Sequence, residues 1–240
     1  PYRARGFPGQ LDEAIANVGV RGIDREQAQA MIRLCPDTEA ILYGDTYSPR
    51  SIRYQQGSRP ELEKIAAGLK DASPRESARQ AMRWVYDHVT HPHLIGPTPP
   101  DRALSEEALI ASGRGWCNEQ ARVFVALCQI MDIPARLCFV NHDNTVCGHT
   151  AAEVFVDGRW AFFDVTFDVT VELPDGRLAE AREISWTHRP LGHAAYRPAL
   201  ERYYQGCQPF VSTQPGWCEA DRPSLESGAD LLGTMGICNY

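Results

Sequence analysis

The sequence has no C-x-x-C pair among its eight cysteines, no long run of lysine and arginine, and no long apolar segment. The missing C-x-x-C pair removes the strongest zinc and thiol-redox signatures. A formal net charge of -7 offers no basic surface for a phosphate backbone, so nucleic acid is not an expected partner. The apolar runs are far shorter than the roughly 20 residues that cross a bilayer, which predicts no membrane span.

The compartment of the protein cannot be read from this sequence. It begins with Pro1 rather than methionine, so a targeting segment would not be visible. Eight cysteines, spread without the density of a disulfide scaffold, fit either a cytoplasmic or an exported protein. Localisation, disulfide pairing and oligomeric state therefore stay open.

Composition predicts a globular protein, because 43% of the residues are hydrophobic and 23% are charged. We divide the chain into three parts. Residues 1–60 are predicted to form an N-terminal arm or small helical lobe, with one helical pattern at 24–35. Residues 61–175 are the predicted core, and residues 176–240, with scattered proline and glycine, are predicted to form a loop-rich extension that wraps it.

The pattern of the core changes from helical to extended about halfway along. Apolar spacing predicts helices over 59–70, 73–89 and 104–112, and a further helix that begins near Cys117. Alternating patterns predict strands over 135–141 and 150–156, and the Asp157-Gly158 pair is typical of a tight hairpin turn into the next strand. The fold class is therefore predicted to be α+β, with an antiparallel sheet.

Cys117 stands where the glycine-containing segment "GRGWC" turns into a helix. A thiol at a helix N-terminus meets unpaired backbone N–H groups and the positive end of the helix dipole, which favour the thiolate. Cysteines within apolar patterns are more often small buried hydrophobic residues, and we interpret Cys35, Cys128 and Cys138 in that way.

His149 and Asp164 are predicted to lie within hydrogen-bonding reach of each other. If Asp157 and Gly158 form a two-residue turn, the numbers of two residues that face each other across the hairpin sum to 315. The side chains of His149 and Asp164 are then diagonal neighbours on one face of the sheet. A shift of one residue would place them on opposite faces. A thiol nucleophile needs a base, and the base needs a group that orients it, so Cys117, His149 and Asp164 form a candidate catalytic set.

The sequence resembles the transglutaminase-like superfamily of cysteine enzymes over roughly residues 105–168. The resemblance lies in "GRGWCNEQA", "GHTAAEVFVDGRW" and "AFFDVT". It implies a papain-like α+β core in which the cysteine helix packs on an antiparallel sheet. It also implies that Cys117 is the nucleophile, His149 the general base and acid, and Asp164 the orienting carboxylate.

Stabilisation of an oxyanion would begin with the backbone N–H of Cys117 at the helix start. In the superfamily that the sequence resembles, an upstream polar or indole side chain often supplies a second donor. Trp116, Trp84 and Gln120 are candidates, and the sequence does not choose among them.

These residues predict cleavage or transfer at an amide bond of a peptide, protein or small amide, through a thioester on Cys117. Hydrolysis is slightly favoured. The alternatives are an amine acyltransferase, which would need an amine acceptor, and a non-catalytic binding module of the same fold. No cofactor is expected, and no D-x-D-x-D-G loop supports calcium dependence.

A zinc site is a weaker alternative, because its five potential ligands fit no common ligand spacing. These ligands are Cys117, Cys138, His142, Cys147 and His149. His91 and His93 flank a proline in a predicted loop, so we expect them at the surface and leave them out of the site.

Overall fold

The computed structural model describes residues 32–34, 36–44, 54–91, 104–141, 148–206 and 234–238. The helices of these parts are α1 (Pro36–Tyr43), α2 (Pro60–Leu69), α3 (Pro74–His88), α4 (Glu106–Ser112), α5 (Cys117–Ile130) and α6 (Arg189–Gly206). The strands are β1 (Ile32–Arg33), β2 (Ala135–Asn141), β3 (Gly148–Val156), β4 (Arg159–Asp164), β5 (Val169–Thr170) and β6 (Thr234–Cys238). A π-helical turn, Glu183–Thr187, precedes α6.

Helix α3 begins as its sequence predicts. The hydroxyl of Ser73 accepts a hydrogen bond from the backbone N–H of Glu76, and Pro74 occupies the first turn, where its missing N–H costs nothing. The predicted apolar stripe is buried, including Ala78, Met82 and Val85. Burial of this stripe holds α3 against the core.

The strands form one antiparallel sheet in the order β1-β6-β2-β3-β4-β5. In the β3–β4 hairpin, Ala152 pairs with Phe163 and Val156 with Arg159, so the predicted register is confirmed. Asp157 and Gly158 both have positive φ, 53° and 79°, as a tight hairpin turn that matches strand twist requires. The α+β fold class is confirmed.

Two buried clusters cover the two faces of the sheet. Helix α5 packs on β2 and β3, and its cluster includes Phe124, Val154 and Phe163. The second cluster includes Ala151 and Phe162, which alternate with the first set along β3 and β4, and it also takes in Tyr196 from α6. By the same alternation His149 and Asp164 belong to the face that α6 covers.

A fully buried ion pair joins helix α1 to the sheet. Arg136 of β2 donates from Nη2 to Glu153 of β3 at 2.7 Å, and neither side chain is exposed to solvent. Arg136 also donates to the backbone oxygen of Leu42, and the Tyr43 hydroxyl donates to Glu153 at 2.8 Å. These bonds satisfy charges that would otherwise be very costly to bury.

The division of the chain into three parts stays a prediction. Most of the helical pattern at 24–35 lies outside the described residues, but Ile32–Arg33 are in strand β1, where helix was expected. In the part of residues 176–240 that the structure describes, the 18-residue helix α6 and strand β6 stand where loops were predicted. Gly192 and Pro198 obscured the helical pattern, although both lie within α6.

Candidate active site

The glycines before Cys117 are required by the way this loop packs. Gly113 ends α4 with φ 66°, and hydrogen bonds in both directions then pair the loop with Thr90. A Cβ at Gly115 would lie 3.0 Å from Cγ1 of Val89 and 3.1 Å from Cβ of Glu119. Only glycine fits this approach without displacing a neighbour.

Cys117 is the first residue of α5, directly after the cap residue Trp116. The Glu119 carboxylate accepts a hydrogen bond from the backbone N–H of Trp116 at 2.8 Å, which fixes the helix start. The N–H groups of the first turn have no partner within the helix, and they place partial positive charge beside the sulfur. The thiol of Cys117 is partly exposed.

His149 and Asp164 meet in the predicted diagonal arrangement. Nε2 of His149 lies 2.6 Å from Oδ2 of Asp164, and the ring of Phe167 packs against the imidazole with 5.1 Å between ring centroids. This bond uses one ring nitrogen and leaves Nδ1 for another partner. The carboxylate and Phe167 together fix the orientation of the imidazole.

The pKa of His149 reflects both of its neighbours. Burial lowers it, but the charge of Asp164, the hydrogen bond to Asp164, and then the hydrogen bond and charge of Cys117 raise it to about 10. The Cys117 thiol therefore lies within hydrogen-bonding reach of the imidazole. The imidazole stays protonated at neutral pH and can share a proton with the sulfur.

Asp164 is fully buried and accepts hydrogen bonds at both carboxylate oxygens. Oδ1 accepts from the backbone N–H groups of Thr166 at 3.1 Å and Phe167 at 3.3 Å, as in an Asx turn. Oδ2 accepts from His149 and from the hydroxyl of Tyr196 on α6. Four donors compensate for burying this charge. The sequence "DVTF" has the spacing of an Asx turn, but nothing near it indicates Tyr196.

Gln120 connects the helix start to the turn that follows Asp164. Its Nε2 donates to the backbone oxygen of Val89 at 2.6 Å, and its Oε1 accepts from the hydroxyl of Thr166 at 2.7 Å. Both ends of the amide thus have structural partners. This engagement disfavours Gln120 as the second oxyanion donor, and the choice between Trp116 and Trp84 stays a prediction.

His91 is buried, where the sequence predicted a surface residue. Its ring packs edge-on against Trp116, with centroids 4.9 Å apart, and only 6% of the residue is exposed. The pairing of Thr90 with the glycine loop holds this segment against the core and turns His91 inward. His93 lies outside the described residues.

The other cysteines and histidines of the described chain form no metal site. Across 32–34, 36–44, 54–91, 104–141, 148–206 and 234–238, no three His, Cys, Asp or Glu residues group closely enough to hold an ion. His142, Cys147 and Cys35 fall outside those ranges. Cys128 and Cys138 are buried as predicted, and burial raises the pKa of each thiol.

Within the described ranges, no helix combines the length and the apolarity that crossing a bilayer requires.

Comparison with known proteins places the site within a family. The sequence model of the transglutaminase-like superfamily matches residues 63–165, a range that includes Cys117, His149 and Asp164. The resemblance noted in the sequence is thereby confirmed, and the superfamily supports a cysteine-dependent enzymatic activity in general terms. Helix α6, which provides Tyr196, lies beyond the matched residues.

Solved structures similar to this chain are distant from it. A candidate cysteine protease from Cytophaga hutchinsonii is 24% identical, with 57% of this chain and 48% of that chain covered and a TM-score of 0.41. A candidate protease from Parabacteroides distasonis is 15% identical over 52% of this chain and 28% of that chain, with a TM-score of 0.36. A structure described as a TGase is 15% identical over 48% of this chain and 34% of that chain, with a TM-score of 0.37.

The chain spans about half or less of the length of those three proteins. Likeness this distant says nothing about activity. Among curated proteins, none matches the sequence.

Proposed function

We propose that this protein is a cysteine-dependent enzyme that cleaves an amide bond of a peptide or protein through a thioester on Cys117. The main support is one arrangement: His149 bonds Asp164 through Nε2 at 2.6 Å while the same imidazole lies beside the Cys117 thiol. A nucleophile, a base and an orienting carboxylate in this order are what acyl transfer requires.

Acylation would start from a thiolate on Cys117 and an imidazolium on His149. The sulfur attacks the carbonyl carbon, a C–S bond forms, and the carbonyl oxygen becomes an oxyanion. The backbone N–H of Cys117, at the start of α5, would stabilise this negative charge. The imidazolium then gives its proton to the leaving nitrogen, the C–N bond breaks, and an amine departs.

Deacylation would return the site to its starting state. The neutral His149 takes a proton from water, the hydroxide oxygen attacks the thioester carbon, and the C–S bond breaks to release a carboxylic acid. Cys117 is again a thiolate and His149 an imidazolium. Both residues are partly exposed, so water has access to the thioester, which favours hydrolysis over transfer to an amine.

The proposal can be tested by trapping the acylated protein. Activated peptide esters and peptide amides would be mixed with the protein, quenched in acid, and examined by intact mass and peptide mapping. We expect an acyl group on Cys117 that disappears with time as the free acid accumulates, and no stable acylation of Cys117→Ala. If no ester or amide acylates Cys117 while the protein is folded, the proposal is wrong and a binding module becomes the better interpretation.

The same experiment separates hydrolysis from acyl transfer. Primary amines would be added during turnover, and the amounts of free acid and new amide would be compared. Hydrolysis predicts that the acid remains the main product as the amine concentration rises. A predominance of new amide would establish the acyltransferase alternative instead.

A further inference from the structure

Asp164 has four described donors, and three of them are its neighbours: His149 in the sheet, and the backbone N–H groups of Thr166 and Phe167 along the chain. The fourth donor, Tyr196, comes from helix α6, beyond residues 63–165. Its hydroxyl donates to Oδ2, the same oxygen that faces Nε2 of His149. The residue is only 3% exposed, so water cannot readily replace this donor. A buried donor aimed at the orienting carboxylate is more than a packing contact.

The ring of Tyr196 is also linked to the histidine, through Phe167. It packs edge-on against Phe167, with centroids 5.8 Å apart, and Phe167 in turn packs against His149. The hydroxyl of Tyr196 thus bonds the Asp164 carboxylate, and its ring packs against Phe167, which packs against the His149 imidazole. Tyr196 remains a donor across the neutral range, because burial and then the charge of Asp164 raise its pKa.

We propose that Tyr196, provided by helix α6, is a positioning residue that fixes the Asp164 carboxylate and thereby the orientation of His149 toward Cys117. The effect of Tyr196 on turnover rests on the proposed function, whereas its effect on the imidazole of His149 does not. The titratable groups around the imidazole are Asp164 from β4 and Cys117 from α5. Cys138 from β2 lies near Asp164 and Tyr196, and its raised pKa keeps this thiol uncharged at neutral pH.

The direction of the effect follows from competition at one oxygen. The tyrosine hydroxyl withdraws negative charge from Oδ2, which weakens the attraction between Asp164 and protonated His149. In Tyr196→Phe, Oδ2 keeps His149 as its side-chain donor, so the protonated imidazole should be held more strongly. We expect the pKa of His149 to rise by about one unit.

The test is an NMR titration of protein labelled at its seven histidines, with the His149 signal assigned by its loss in His149→Gln. The matched control is Tyr43→Phe. Tyr43 also donates to a buried carboxylate on β3, that of Glu153, but it does not contact His149. The pKa of His149 should rise in Tyr196→Phe and stay at the wild-type value in Tyr43→Phe.

A second variant covers the case in which Tyr196→Phe does not fold. A fluorotyrosine in place of Tyr196 keeps the ring and makes the hydroxyl a stronger donor, so it should lower the pKa of His149. An unchanged titration in both variants, or the same change in Tyr43→Phe, would overturn the proposal. Because the readout needs no substrate, an inactive protein with a shifted titration would refute only the proposed function.

Discussion

The side chain of Gln120 accepts a hydrogen bond from the Thr166 hydroxyl at 2.7 Å, which joins the first turn of helix α5 to the turn that follows Asp164. Both residues are buried, and the amide of Gln120 also donates to the backbone oxygen of Val89. The segments that hold the thiol and the carboxylate are therefore linked by one amide.

This link predicts coupling between Gln120 and Thr166. Gln120→Ala leaves buried partners of the amide unsatisfied and should lower the free energy of unfolding by about 2–4 kcal/mol. Thr166→Val should lower the free energy of unfolding by less, because it removes only the hydroxyl that bonds Gln120 and keeps the shape of the side chain. In urea unfolding of both single variants and the double variant, we expect a coupling of about 1 kcal/mol or more. Strict additivity would mean that the bond contributes nothing.

Gly115→Ala should destabilise the protein through its contact with Val89. The added methyl would lie 3.0 Å from Cγ1 of Val89, and relief requires a shift of α3 or of the loop before Cys117. We expect a loss of about 1–3 kcal/mol, measured by urea unfolding, and partial recovery in combination with Val89→Ala.

Gly68→Ala is the matched control for this variant, because nothing lies within 4 Å of the added methyl in α2. It should be neutral or stabilise by up to about 1 kcal/mol, since alanine favours a helix. Equal losses in Gly115→Ala and Gly68→Ala would show that the close approach to Val89 is unimportant.

The stability of the protein should depend on pH through His149. Its pKa is raised in the folded state from 6.5 to about 10, so its contribution is complete below pH 6.5 and is lost as pH rises through about 10. With about 1.4 kcal/mol for each pKa unit, the contribution is at most about 5 kcal/mol.

The measurement is the free energy of unfolding in urea across that pH window. Wild type should lose stability as pH rises, and His149→Gln should have a flatter profile. His88→Gln, at an exposed histidine of α3, serves as control and should keep the wild-type slope. A His149→Gln profile parallel to wild type would contradict the interaction with Asp164.

Removal of Arg136 should be far more damaging than removal of the whole ion pair. Arg136→Met leaves the buried charge of Glu153 without the guanidinium that pairs with it, which should lower the free energy of unfolding by about 3–5 kcal/mol. The double variant Arg136→Met with Glu153→Leu removes both charges and should recover a large part of that loss. Thermal unfolding of the two proteins checks this, and similar losses would argue against a desolvated pair.

The sequence was informative where local geometry determines structure. The Asp157-Gly158 turn specifies the β3–β4 register, and that register alone places His149 diagonal to Asp164. Helix starts at Ser73 and Cys117 were predictable for the same reason, because capping residues and glycine act over a few positions.

Contacts between distant segments were not predictable. Tyr196, which bonds Asp164, lies 32 positions further along the chain, on a helix whose pattern is interrupted by Gly192 and Pro198. The burial of His91 depends on the pairing of Thr90 with the glycine loop. Strand β6 joins β2 from almost 100 residues further along the chain. Such contacts are decided by tertiary packing, which leaves no local signal in the sequence.

The most direct test of the proposed active site is the pH dependence of Cys117 alkylation by iodoacetamide, followed by peptide mapping. Wild type, His149→Ala and Tyr43→Phe would be compared, with folding checked by circular dichroism. We predict rapid labelling of Cys117 in wild type and Tyr43→Phe that persists as pH falls below neutrality and collapses in His149→Ala, because the protonated imidazole holds the sulfur as a thiolate. Slow labelling of wild type that is unchanged in His149→Ala would contradict an activated Cys117–His149 pair.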